Sequence, residues 1–118
     1  MLKEDYVSFE VAKLLKEKGF DESCRAVYEE EVLRINTLCD YHNSELSSYV
    51  SAPTHQMACA WIREKYGFHI FADYDIKFNL WKRNIREIKT GVVWSIGGFS
   101  SPEETVEEGV KFVLENLI

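Results

Sequence analysis

The stretch FHIFADYDIKFNLWKRNIREIKTGVVWSI, residues 68–96, decides the fold. Its β-branched and aromatic residues favour extended backbone, and they are broken into groups by polar residues that suit turns. Three strands are predicted, over 68–74, 76–82 and 86–96, with the charged run KRNIR (82–86) as the second connection. A period of two sorts the side chains of the last two strands into faces. Ile76, Phe78 and Leu80, continued on the neighbour by Ile88, Val92, Trp94 and Ile96, make the expected core side. Lys77, Asn79, Trp81 and Arg83, beside Glu87, Lys89, Val93 and Ser95, make the other, which sets Trp81 outward among cations.

Helices are predicted on both sides of these strands. Downstream, Ser101-Pro102-Glu103-Glu104 is a capping box with proline at the first helical position and acids in the first turn. Val106, Val110, Val113, Leu114 and Leu117 follow as a buried stripe. Upstream, a helix begins near Pro53, presents Met57, Ala58, Trp61 and Ile62 on one face, and stops at Gly67. Before that, residues 25–36 read as a hairpin, with Val27 on one side of Glu29, Glu30 and Glu31, and Val32, Leu33 and Ile35 on the other. Residues 37–49 carry Asn, Asp and Ser without periodicity and read as a loop. The first helix is expected over 8–18, capped by Ser8, with Phe9, Val11, Ala12, Leu14 and Leu15 at helical spacing and Gly19 as its stop. The resulting order, αββαβββα, is α+β: three helices packed on a mainly antiparallel sheet. With no linker, repeat or low-complexity tract, residues 1–118 read as a single domain.

Composition narrows the function classes. A chain of 118 residues that is 46% hydrophobic can bury about two thirds of its extended surface, so it needs no staples. Cys24, Cys39 and Cys59 are odd in number and form no CxxC pair, which reads as reduced, packed thiols. No apolar run approaches the roughly 20 residues of a membrane helix, and residues 1–5 lack the pattern of a signal peptide, so a cytoplasmic location without a membrane partner is expected. The net charge of −6 disfavours phosphate backbones as partners. Its distribution matters more: residues 21–40 and 101–118 each sum to −4, while 81–100 sum to +3.

The blocks YVSFEVAKLLKEKGFDESC (6–24), SAPTHQMACAWIREKYGFHI (51–70) and SPEETVEEGVKFVLENLI (101–118) make up nearly half the chain. In these blocks the sequence resembles a family of short, functionally uncharacterised proteins encoded by phages and mobile elements of gut bacteria. The resemblance implies a small, single-domain protein, cytoplasmic in the host, and it brings no assigned activity and no site residues. The segment 24–50 departs most from that family's pattern.

Several chemistries can be weighed residue by residue. Cys39-x2-His42 and His55-x3-Cys59 have zinc-ligand spacing, the second pair on one side of a helix. Such a pattern arises readily from scattered residues, and the plainer reading is a packed Cys59 with His42 and His55 at the surface, so no metal or other cofactor is expected. The same pairs could form a Cys–His nucleophile, but a thiol on the apolar side of a helix is more often structural, and no enzyme is expected. Gly97-Gly98 before a helix suggests a phosphate loop, yet Glu103 and Glu104 would repel the anion. Residues 53–118 run αβββα, the element order of double-stranded-RNA-binding domains, but those domains place lysines where these acids stand.

The remaining candidate is the outward group Lys77, Trp81, Arg83 and Lys89. An aromatic among cations suits a protein partner, either this chain itself or another. It also suits single-stranded nucleic acid, which the net charge disfavours. A structural role for Trp81 would follow if a helix or the N-terminal hairpin covered this face, or if a bulge re-phased the strand. The expectation is a non-enzymatic, protein-binding accessory protein.

Overall fold

A computed structural model describes residues 4–36, 40–45 and 48–118. The fold is α+β, in the order α1 (Phe9–Glu17), β1 (Ala26–Glu29), β2 (Val32–Ile35), a short 3-10 turn (Asn43–Glu45), β3 (Val50–Ser51), α2 (His55–Tyr66), β4 (Phe68–Asp75), β5 (Leu80–Glu87), β6 (Val93–Phe99) and α3 (Pro102–Asn116). The antiparallel strands form two three-stranded sheets, β2-β1-β3 and β4-β5-β6. The chain divides accordingly into two compact units, Met1–Gln56 and Met57–Ile118.

In the first unit, the Ser8 hydroxyl accepts from the Val11 N–H and caps α1. At the other end Gly19 takes a positive φ of 90°, and the Phe20 N–H reaches back to the Leu15 carbonyl. Val11, Ala12 and Leu15 on α1 are buried, as are Ala26, Val27 and Tyr28 of the central strand β1. The Tyr28 ring meets Phe9 edge-on at 5.5 Å, and its hydroxyl donates to the Val7 carbonyl at 2.6 Å. The hairpin over 25–36 is present, and Glu30 and Glu31 alone form its loop, both with positive φ. That is the mirror-image turn whose twist suits a two-residue hairpin. Within the segment read as a loop, Asn43 is buried and ties two elements: its Nδ2 donates to the Phe20 carbonyl and its Oδ1 accepts from the Ser51 N–H. Strand β3 follows, too short for any alternation to announce it.

In the second unit, α3 lies against the β4-β5-β6 meander. Its Ser101 cap accepts from the Glu104 N–H, and Pro102 opens the helix. Gly109, Val110, Val113 and Leu114 on α3 are buried, with Phe68, Ile70 and Ile85 on the sheet. Gly109 lets helix and sheet approach closely, since a Cβ built there would stand 2.6 Å from Ile70 Cγ2.

The strand boundaries differ from the sequence expectation. KRNIR is the middle of β5, and its turns lie on either side. The first is built by Asp75, whose Oδ1 accepts from the Lys77 N–H, and by Asn79, which tolerates a φ of 55° and accepts from the Tyr74 hydroxyl. Gly91, at a φ of 78°, makes the second, supported by the Thr90 hydroxyl bonded to Glu87. Facing is corrected with the boundaries. Ile76 and Phe78 are not core but turn residues, 81% and 63% exposed, and Ile88, Val92 and Ile96 are exposed as well. Trp81, Arg83 and Ile85 instead share the face that α3 covers. A bulge between Trp81 and Arg83, opposite Gly97 and Gly98, re-phases the neighbouring strand.

Candidate functional site

The four residues singled out in the sequence do not converge. Lys77 sits in the β4–β5 turn and Lys89 in the β5–β6 turn, at opposite ends of an eight-residue strand that is roughly 25 Å long at 3.3 Å per residue. Trp81 lies half-buried against Tyr74, edge-on at 5.2 Å. Arg83 is buried; its guanidinium carbon stands 4.2 Å from the centre of the Phe112 ring, and its Nε has no hydrogen-bond partner among the described residues. Burial lowers the Arg83 pKa while Glu108 opposes that shift, and a guanidinium remains charged. A cation in this position packs beneath a helix instead of meeting solvent.

What sequence reasoning missed is the apolar character of the turns and of the outer strand. Of eleven large hydrophobic residues exposed among the described ones, seven fall between Tyr74 and Ile96. At the β4–β5 end, Ile76 and Phe78 project beside Lys77, whose Nζ lies 5.4 Å from the Phe78 ring centre. A concavity of about 270 Å³ opens there, lined by Asp73, Tyr74, Asp75, Ile76, Lys77 and Lys82. Asp73 stands directly opposite Lys82 in the ladder. Strand β6 contributes Val93 and Ile96, and the turn before it Ile88 and Val92. The available signal was the Asp75–Asn79 spacing, two turn-forming residues bracketing the apolar pair.

The thiols and imidazoles can be placed in part. Cys39, and with it the first half of the zinc-like pattern, lies outside the described residues. Among the described residues no three His, Cys, Asp or Glu side chains are grouped to hold a metal ion. Burial pushes the Cys24 thiol up to about 12, with Glu22 and Asp40 adding to it, and the Cys59 thiol up to about 11. Neither is a thiolate at neutral pH. His42 donates through Nδ1 to the Asp21 carbonyl at 3.1 Å, and the Asp21 carboxylate accepts from the Ser44 N–H at 2.7 Å. These contacts fasten the turn that holds Asn43. No described helix is long and apolar enough to cross a membrane.

In comparison with known proteins, no family model matches the chain, and no curated protein or solved structure matches it.

Proposed function

We propose that this chain is a non-enzymatic accessory protein of phage or mobile-element type that acts in the cytoplasm by binding another protein. The phage assignment rests on the three sequence blocks that resemble that family. Protein binding is supported by the apolar side chains held in solvent between Tyr74 and Ile96, above all Ile76 and Phe78 in a turn fixed by Asp75 and Asn79. Scattered exposed hydrophobics need no explanation, but a rigid turn that presents two of them beside a lysine has the make-up of an interface anchor. Single-stranded nucleic acid is less well supported, because Trp81 is packed on Tyr74 and Arg83 is covered, so these two do not form the exposed aromatic-and-cation pair that stacking on Trp81 requires.

A photoreactive phenylalanine analogue at position 78 tests this in cells that carry the protein. The expected result is a discrete protein adduct that is absent when the probe sits at exposed Glu115. An adduct pattern indistinguishable from that control refutes protein binding through this turn. Titration with single-stranded oligonucleotide is expected to leave tryptophan fluorescence unchanged; salt-dependent quenching abolished by Trp81→Ala would transfer the assignment to nucleic acid.

A further inference from the structure

We infer that β6 is a self-pairing edge, through which two copies of this chain join antiparallel into one six-stranded sheet. The inference goes beyond the protein-binding reading: it concerns the β6 edge and not the β4–β5 turn, and its partner is a second copy. Strand β6 is the outer strand of its sheet. The Glu87 N–H donates to the Val92 carbonyl at 2.8 Å, which fixes the alternation of the ladder: Val92, Trp94 and Ile96 turn their backbone groups toward β5, and Val93, Ser95 and Gly97 turn theirs away. Among the described residues no backbone group meets that outer row.

Sheet edges are ordinarily guarded by charge. The opposite edge, β4, carries Asp73 and Asp75. The sequence of β6, VWSIGGF, has no charged residue at all. Two chains of net charge −6 can therefore meet along it without placing like charges opposite each other.

The strand is also self-complementary. In the register centred on Ser95, the Ser95 backbones of the two copies exchange hydrogen bonds, and Val93 of each faces Gly97 of the other. Trp94 of each copy then stands opposite Ile96 of the other on the side that carries α3, an aromatic–aliphatic cross-strand pair that covers an isoleucine now 51% exposed. The bulge at Gly97 and Gly98 ends the ladder. Each copy uses its one unguarded edge of this sheet, so the assembly closes at two.

Sedimentation over a range of concentrations tests the pairing with the wild type, Ser95→Glu, Ser95→Lys and an equimolar mixture of the two variants, each checked for native circular dichroism. The 13.8 kDa chain is expected to double its mass as concentration rises, each variant to lose that doubling, and the mixture to regain it, because Ser95 faces its own copy. Misfolding of a variant cannot produce the recovery. A wild type that stays monomeric, a dimer that survives both substitutions, or folded variants that do not recover on mixing would each overturn the pairing. None of these touches the crosslinking through position 78, which decides the broader protein-binding reading on its own.

Discussion

The two sheets share strand number and antiparallel sense and differ in almost everything else. In β2-β1-β3 the centre strand is apolar and buried, while the edges are four and two residues long. The outer strand β2 bears Arg34, which pairs with Glu29 at 3.6 Å in solvent, a contact worth little in itself but a deterrent to further pairing. In β4-β5-β6 the strands run eight, eight and seven residues, the centre strand buries Arg83 and Asn84, and the last strand is uncharged at its open edge. In the first sheet the Asn43 side chain ties β3 to a loop, and β2 exposes Val32 and Ile35 beside its charge pair. The second leaves apolar surface unsatisfied at its turns and edge, so interaction is to be sought there.

The largest effect expected is in the first unit. Phe20 is fully buried, and its backbone links the end of α1 to Asn43. Phe20→Ala should cost about 3–5 kcal/mol in chemical denaturation, with early loss of amide protection in β1. A cost below about 1 kcal/mol would mean that this core does not hold the sheet. Next comes the contact that seats α3. Gly109→Ala gains up to about 1 kcal/mol of helix propensity but drives a methyl against Ile70 and the Arg83 stem. A net loss of about 1–2 kcal/mol is expected; a stabilised variant would show that α3 has room to shift.

Much of this was legible in the sequence because it is local. Ser8, Gly19, Ser101 and Pro102 mark helix ends through their own backbone chemistry, and the Glu29–Glu31 run separates two β-forming pieces. The facing of β5 was not legible, because it depends on where the turn falls. Starting the strand at Ile76 makes KRNIR look like a connection; starting it at Leu80 makes the same residues a strand and puts Arg83 under a helix. Parity carries a turn misplacement into every side chain that follows. The bulge at Gly97 and Gly98 added a second shift, and β3, two residues long, had no pattern to offer. The candidate site therefore dispersed: Lys77 and Lys89 remained exposed but far apart, while Trp81 and Arg83 turned inward.

A smaller effect should appear at the hairpin loop of the first sheet. Glu31 holds a φ of 70°, a region unfavourable to a side chain with a Cβ. Glu31→Gly is expected to stabilise the hairpin by about 0.5–1 kcal/mol, read as a rise in midpoint temperature. No change would mean that the loop is held by more than its own conformation. In the second sheet, Arg83→Met should change stability by less than about 1 kcal/mol, since it removes a buried charge with an unpartnered Nε, gives up the guanidinium's place over Phe112 and keeps the packing stem beside Gly109. A loss of several kcal/mol would show that the guanidinium itself holds α3 in place.

The smallest expected effect is a pH window around Asn43. Hydrogen bonding to Ser44 lowers the Asp21 pKa, and the hydrogen bond to the Asp21 carbonyl raises that of His42. A lowered carboxyl pKa stabilises the fold above its ordinary range, and that support disappears as pH falls through the depressed value. A raised imidazole pKa stabilises the fold below the ordinary histidine value of about 6.5, and is lost as pH rises through the raised one. The two contributions overlap in mildly acidic solution, so protection of the Ser44 amide, taken relative to its intrinsic exchange rate at each pH, should be greatest there and smaller on both sides. Both side chains are at the surface, which confines the change to this turn and leaves the global midpoint nearly still. An NMR titration placing His42 at or below its ordinary value would remove the upper limit of the window and leave the Asp21–Ser44 bond as the titrating support of the turn, beside the Asn43 bonds to Phe20 and Ser51.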